Sequence, residues 1–185
     1  MGRIASENCE RLHLLLRRGA GSNGGKRMPR IEARLAEMGI SLPAPLVLPS
    51  PNRASAVRVG NMLYVSGHGA ALLEDESVKR RGKVDLDITE AEATETARAL
   101  AIKMIATVKH HVGDLDKVEK VVKILGMINA HPDFERPNAV LNGASDLFFE
   151  VFGPEIGQHA RSSVGVETLV DRQPVEIEGT FLVRD

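Results

Sequence analysis

Two amphipathic helical segments, each flanked by segments rich in Val and Ile, constrain the possible folds of this chain more than any other feature. The first begins after Thr89, which forms a predicted capping box with Glu92, and ends at Gly113. The second begins at Pro137 and is stopped at Gly153. The residues expected to face inward are Ala93, Ala97, Leu100, Met104, Ile105 and Val108 in the first helix, and Val140, Leu141, Ala144, Leu147, Phe148 and Val151 in the second.

Five short segments around these helices have the composition of β-strands. The predicted strands span residues 56–59, 62–66, 118–128, 163–170 and 175–183. Gly60-Asn61 is a tight-turn pair that closes the first two strands as a hairpin, and residues 171–174 are predicted to join the last two as a second hairpin. We therefore expect an α+β domain with one mixed sheet and both long helices on one face. The other face needs cover, for which subunit association is the expected solution.

The chain divides into three regions by composition. Residues 1–27 end in a Gly-rich run and are predicted to be a disordered extension, with Met28 as a possible alternative translation start. Residues 28–51 contain a short predicted helix, 30–38, and a proline-rich connector. Residues 52–185 form the main predicted domain, in which the polar stretch 71–87 is expected to be a surface loop.

Composition narrows the possible functions. The chain has 24 basic and 25 acidic side chains, so it offers no surplus of positive charge for a long nucleic acid. Cys9 is its only cysteine, which excludes an intrachain disulfide and a thiolate metal cluster. No apolar run approaches the roughly 20 residues that cross a bilayer. We expect a cytoplasmic protein without metal, cofactor, membrane or nucleic-acid partner.

Arg161 is the first candidate for chemistry, because it lies at the predicted entrance to a strand. A guanidinium fork there suits a small carboxylate, although a surface or salt-bridged arginine is the more frequent case. Glu176 and Glu178 share one face of the last strand, as a solvated pair or as a general base. Asn142 lies amid apolar residues of the second helix, and His68 closes the first hairpin. Each also has a purely structural interpretation: Asn142 as a residue that faces water, and His68 as a residue that hydrogen-bonds a loop.

Four stretches together resemble the RidA/YjgF family of small imine deaminases, formerly described as translation inhibitors or L-PSP endoribonucleases. They are 60–67 (GNMLYVSG), 142–149 (NGASDLFF), 160–164 (ARSSV) and 175–178 (VEIE). Their order and intervals agree with the family from about residue 52 to the end. Arg161, followed fifteen residues later by Glu-Ile-Glu, is the most specific element.

The resemblance implies a chorismate-mutase-like fold, a homotrimer and a ligand pocket in each cleft between subunits. It implies that Arg161 binds the carboxylate of a 2-imino or enamine acid and that Glu176 positions the attacking water. It also implies that Ser66 and Asn142 line the pocket, with hydrolysis to a 2-keto acid and ammonia. The further candidates for ligand binding are Gly67, His68, Ser163 and Arg53.

Three departures from the family pattern leave a second function open. Arg53 falls where many deaminating relatives carry a tyrosine, His68 stands where glutamine is usual, and residues 132–141 are about four residues longer than in those relatives. A second arginine near the pocket would favour a more acidic ligand. The alternative is a non-catalytic trimer that binds a small carboxylate. RNA cleavage is disfavoured, because aromatic residues make up only 3% of the chain and offer little base stacking.

Overall fold

The structure, a computed structural model, describes residues 29–185, so the extension predicted for 1–27 lies outside the described residues. It has three helices, five strands and three short 3-10 turns in this range. The helices are α1 (Arg30–Glu37), α2 (Glu90–Val112) and α3 (Pro137–Gly157). The strands are β1 (Ala56–Val59), β2 (Met62–Gly69), β3 (Val118–Asn129), β4 (Ala160–Val166) and β5 (Val175–Val183).

The five strands form one mixed sheet in the order β1-β2-β5-β3-β4. All neighbouring pairs are antiparallel except β3 and β4, which are parallel and connected through α3. The predicted hairpin turn is present: Val59 pairs with Met62, and Gly60 has a positive φ of 57°. The α+β class and the single mixed sheet are therefore confirmed.

Both long helices pack on the same face of the sheet, as predicted. The capping box of Thr89 and Glu92 is formed at the start of α2, and every residue expected to face inward from α2 and α3 is buried. Gly153 breaks α3 with φ 79° and ψ 173°, after which Pro154 begins a last short helical segment. The core therefore lies between the two helices and the residues of β2, β3 and β5 that face them.

The prediction that the last two strands form a hairpin was wrong. β4 and β5 are not neighbours, because β3 lies between them. The crossover through α3 returns β4 to the outer edge of β3, parallel to it, so the chain must pass β3 to enter the sheet again as β5. The predicted strand 163–170 was also displaced: β4 spans Ala160–Val166, and residues 170–172 form a 3-10 turn with Asp171 and Arg172 at positive φ.

Two segments expected at the periphery are tied to the core. In α1, Ile31 and Leu35 are 3% exposed and belong to the same apolar cluster as the sheet residues. In the stretch 71–87, Leu73 and Val84 are buried, and the backbone of Val84 donates a hydrogen bond to Asn129, the last residue of β3, and accepts one from His131. The prediction of a surface loop was thus incomplete. None of the helices in the described range has the length and apolar character needed to cross a membrane.

The second face of the sheet has no covering layer within residues 29–185. Cross-strand register puts Val57, Tyr64 and Thr180 in one row of this open face, and Met127 and Val164 in another. Tyr64 is 50% exposed, Val57 53% and Val164 43%, so this face exposes apolar side chains, alongside the charged Lys123 and Glu178. An apolar surface of this kind marks an interaction site.

The contact between α2 and α3 is close enough to require a glycine. A Cβ at Gly143 of α3 would collide with the backbone carbonyl oxygen of Thr94 in α2. We expect Gly143→Ala to lower the free energy of unfolding by about 1–3 kcal/mol, although alanine is the better helix former by about 1 kcal/mol. Urea unfolding at fixed protein concentration measures the change. Gly165→Ala is the control, since nothing lies within 4 Å of its added Cβ, and equal effects at the two positions would contradict the close packing.

Candidate functional site

Polar side chains gather at two places, which lie on opposite faces of the sheet. Asn142, Ser145, His159 and Arg161 form the first group, called here the arginine cluster. It lies where the middle of α3 packs against the beginning of β4. Arg161 points toward the helix layer because it is paired with Ile124, which faces the core.

The arginine cluster is held by directed hydrogen bonds. Arg161 Nη1 donates to Asn142 Oδ1 at 2.8 Å and to Ser145 Oγ at 3.2 Å. Ser145 Oγ lies 3.0 Å from His159 Nε2, and His159 Nδ1 lies 2.6 Å from the carbonyl oxygen of Gly157. Asn142 is exposed on α3, so this helix-interior asparagine serves to hold the guanidinium.

The rest of the Arg161 guanidinium is open to a ligand. Both Nη1 hydrogens are used, while the Nε and Nη2 side has no hydrogen-bond or acidic partner among residues 29–185. That side presents the two parallel N–H groups that bind a carboxylate bidentately. Arg161 also lines a shallow depression of about 230 Å³, with Asp146, Phe149 and Gln158 among the other lining residues.

His159 carries little positive charge in this setting. Burial lowers the pKa of its imidazole, the hydrogen bond to Gly157 opposes this, and the charges of Arg161 and Lys120 lower the pKa further. The edge of the Phe148 ring packs against it, with ring centroids 5.9 Å apart. A neutral His159 can accept a hydrogen bond from the Ser145 hydroxyl.

Glu176 belongs to the second group, on the open face. Its Oε1 lies over Gly67, where a Cβ would collide with it, and its Oε2 accepts a hydrogen bond of 2.9 Å from Gln173 Nε2. Gln173 is 4% exposed and in turn accepts from the backbone N–H of Ala71. Glycine at position 67, in the irregular part of β2 between Val65 and His68, is therefore what lets the carboxylate lie against the backbone.

Burial raises the pKa of the Glu176 carboxyl. The Gln173 hydrogen bond works against this increase, and the nearby charge of Glu178 adds to it. A raised pKa brings a carboxyl group closer to the range in which it exchanges protons at neutral pH.

Arg161 and Glu176 do not meet within one chain. Arg161 pairs with Ile124 on β3, whereas Glu176 pairs with Met127, three residues further along and on the opposite face. Strand spacing and rise place their Cα atoms roughly 14 Å apart. A small ligand cannot contact both side chains of the same chain.

The other predicted residues divide between the two faces. Ser66 follows the buried Val65 in β2, next to Gly67 and the Glu176 carboxylate, and its hydroxyl donates to the carbonyl oxygen of Ala54 at 2.7 Å. Arg53 is exposed in the segment that leads to β1. Ser163 faces the helix layer with its Oγ buried and without a hydrogen-bond partner among the described residues. Ligand contacts by these three residues stay predictions.

His68 lies inside the protein and has no exposed surface. Its Nδ1 donates to the carbonyl oxygen of Ser66 at 2.7 Å, and its Nε2 lies 2.8 Å from Thr107 Oγ1 on α2. Thr107 Oγ1 also accepts the backbone N–H of Leu46, so His68 connects β2, α2 and the connector. The structural interpretation of His68 is therefore favoured, and its ring is not open to a ligand here.

Three partners of the site were missed from the sequence: Ser145, His159 and Gln173. Ser145 lies three residues after Asn142, one helical turn further along α3, and this spacing could have indicated it. His159 lies two residues before Arg161, but its contact with Ser145 depends on how α3 meets β4. Gln173 lies in a turn whose conformation the sequence did not predict.

One group of carboxylates is close enough to suggest a metal site but is explained otherwise. Glu32, Asp114 and Asp116 lie together at the start of α1. Asp116 accepts the backbone N–H groups of Arg30 and Ile31, and Lys109 lies 3.5 Å from Glu32. These contacts cap the helix and balance the acidic charge.

Comparison with known proteins agrees with this architecture. The model of the family described as "YjgF/chorismate mutase-like, putative endoribonuclease" matches residues 32–170. The chain therefore belongs to the YjgF family and has its chorismate-mutase-like fold.

Individual relatives resemble most of the chain. Protein TCP17 of Trypanosoma cruzi is 38% identical over 149 residues, which cover 80% of this chain and 91% of that protein. The crystal structure of Atu1372 from Agrobacterium tumefaciens, a protein of unknown function, has a TM-score of 0.74 at 35% identity, with 83% of this chain and 92% of that one covered. A structure from Shewanella oneidensis, described as a putative endoribonuclease, has a TM-score of 0.75 at 25% identity and coverages of 83% and 99%.

Burial of His68 predicts a specific pH dependence of stability. Desolvation lowers the pKa of its ring from 6.5 to about 4, so the unfolded chain takes up the proton first as the pH falls. The stability from neutral His68 is therefore present above pH 6.5 and is lost toward pH 4, by about 3 kcal/mol in total. Urea unfolding of wild type at pH 7 and pH 4.5 measures it.

Two variants isolate this contribution. His68→Gln should lose less stability than wild type on acidification, although it is less stable at pH 7. His110→Gln should behave like wild type, because His110 is exposed near the end of α2. An equal acid-induced loss in wild type and His68→Gln would contradict the assignment.

Proposed function

We propose that the protein hydrolyses small 2-imino or enamine acids to 2-keto acids and ammonia. The observation that carries the proposal is the Arg161 guanidinium, which is oriented by Asn142 and Ser145 while its Nε and Nη2 side remains available. An arginine that merely stabilised the fold would be expected to meet an acidic side chain or a carbonyl oxygen on that side. Membership of the YjgF family supports the same chemistry at the level of the family.

Arg161 is suited to bind the ligand by its carboxylate. Charge-assisted bidentate hydrogen bonds contribute roughly 1.5–3 kcal/mol net and fix the plane of the bound group. Because the carboxylate is attached to the imine carbon, holding it also fixes the reacting carbon relative to the protein. Such orientation can lower the activation barrier by several kcal/mol.

Glu176 would come from a neighbouring subunit. Arg161 and Glu176 lie on opposite faces of their own sheet, so one ligand can use both only if two chains contribute. In a homotrimer, association of the open faces would cover their apolar residues and bring Ser66, Gly67 and Glu176 of one chain to the edge strand β4 of the next. The exposed Tyr64, Val57 and Val164 support burial of that face.

The proposed reaction needs only water and proton transfers. Glu176 accepts a proton from a water molecule as its oxygen attacks the imine carbon, and the imine nitrogen becomes protonated. The hydroxyl proton of the resulting carbinolamine passes through Glu176 to the amino nitrogen, the C–N bond breaks, and ammonia leaves with a 2-keto acid as the other product. A raised pKa suits Glu176 to these transfers, because it makes the carboxylate a stronger base.

A second candidate is a trimer that binds small carboxylates without turnover. The observation that favours it is Arg53, which is exposed at the position where deaminating relatives are expected to close the pocket with a tyrosine. In this case Arg161 would bind a 2-keto acid without converting it, and the fraction of occupied sites would depend on the concentration of that acid.

Substitution at the two central residues distinguishes these functions. We expect Arg161→Ala to reduce kcat/KM for 2-aminoacrylate or a longer imino acid by about 100-fold or more, from loss of the charged anchor. Glu176→Gln should lower kcat more than it changes KM, since the amide still fits but accepts no proton. Decay of an imine generated in situ, followed by absorbance, measures both.

Arg81→Ala serves as the control, because Arg81 is exposed in the loop before Val84. Absence of any acceleration by wild type over several imino acids would contradict deamination. Saturable binding of 2-oxobutyrate that depends on Arg161, without turnover, would select the binding trimer instead.

Assembly through the open face is a separate prediction. Tyr64→Glu places a charge in the middle of this apolar surface, so the variant should dissociate from trimer to monomer in light scattering at micromolar concentration. Val47→Glu is the matched control, because Val47 is 68% exposed in the connector on the helix side. A wild-type protein that is monomeric under these conditions would exclude the shared site.

A further inference from the structure

His159 has no part in the function proposed so far, yet it contacts Ser145, which helps to orient the central residue Arg161. Ser145 Oγ lies between His159 Nε2, at 3.0 Å, and Arg161 Nη1, at 3.2 Å. All three side chains line the same depression of about 230 Å³.

The hydrogen-bond pattern fixes the tautomer of neutral His159. The Gly157 carbonyl oxygen can only accept, so the His159 nitrogen facing it, Nδ1, carries the hydrogen. Nε2 then has a lone pair and accepts the Ser145 hydroxyl proton. With its single hydrogen used in this way, Ser145 Oγ offers only lone pairs to its other side, where Arg161 Nη1–H donates to it.

Protonation of His159 reverses the role of Ser145. The imidazolium donates from Nε2 as well as from Nδ1, so Ser145 Oγ becomes an acceptor toward both His159 and Arg161. Its hydroxyl hydrogen is then released and can turn toward the depression. A carboxylate on Arg161 gains a further donor and a second nearby positive charge.

We propose that Ser145 and His159 make carboxylate binding at Arg161 dependent on pH, with proton uptake by His159 coupled to ligand binding. The proposal rests on the carboxylate-binding role of Arg161 proposed above. Ser145 and His159 are thus positioning residues that adjust the anchor, and they favour anionic ligands as the pH falls.

The charges around His159 give the direction of the effect. Arg161 on β4 and Lys120 on β3 oppose its protonation, whereas Asp146 is the acidic residue of α3 that lines the depression. Without ligand, burial and these two cations lower the pKa of His159 below its usual value. A bound carboxylate offsets the Arg161 charge and raises that pKa, so binding and proton uptake favour each other.

Calorimetry with 2-oxobutyrate as the probe tests the coupling. We expect wild type to bind it up to about tenfold more tightly at pH 5.5 than at pH 8, the effect of one linked proton and one unit of pKa change. Titrations in two buffers of different ionisation enthalpy should show uptake of up to about half a proton for a pKa change of one unit. The keto acid itself is already ionised over this range.

Variants separate His159 from other groups. His159→Gln can keep hydrogen bonds to Gly157 and Ser145 but cannot titrate, so its affinity should lose the pH dependence and the proton uptake. Ser145→Ala should weaken binding at pH 5.5 more than at pH 8. His110→Gln should match wild type. All measurements are repeated in a Glu176→Gln background, because Glu176 also has a raised pKa.

The outcomes distinguish the two proposals. Binding that survives Arg161→Ala would overturn the anchor itself. Binding that requires Arg161 but keeps its full pH dependence in His159→Gln would overturn only the role of His159. If His159→Gln does not fold, the proton count decides: no uptake by the Glu176→Gln protein at pH 5.5 to 7 would overturn the coupling.

Discussion

The alternation of side chains along β-strands is the constraint on which the proposed site depends. Arg161 shares a row with the core residue Ile124, and Glu176 shares a row with Met127 on the open face. No rotamer change moves either side chain through the sheet. A mechanism that uses both residues must therefore use two subunits, and the apolar open face offers the surface through which they would associate.

Each half of the site is held by a small number of close contacts. Asn142 and Ser145 orient the guanidinium from α3, so the position of that helix on the sheet sets the direction of Arg161. Glu176 is held by Gln173 and lies against the backbone of Gly67. Neither cluster uses His68, which instead connects β2 to α2 through Thr107. The core thus holds both clusters in place.

Local patterns predicted the elements better than their arrangement. The capping box at Thr89 and the break at Gly153 are signals carried by a few adjacent residues, and both were confirmed. The position of β5 between β2 and β3 depends on contacts distant in sequence, so the expected closing hairpin was wrong. For the same reason Arg161 and Glu176 could be named from their local sequence and from the family resemblance, whereas their opposite faces and the contact of Ser145 with His159 required the three-dimensional structure.

Complementation between subunits tests the shared site most directly. Differently tagged Arg161→Ala and Glu176→Gln chains would be co-expressed, and the mixed trimers purified through both tags and assayed with an imino acid. With Arg161 from one chain and Glu176 from the next, every trimer that contains both variants has both residues intact at one of its three sites. We predict activity in the mixed trimers while each variant alone is inactive. Mixed trimers as inactive as the separate variants, although Arg161→Ala mixed with wild type keeps proportionate activity, would contradict a site built from two subunits.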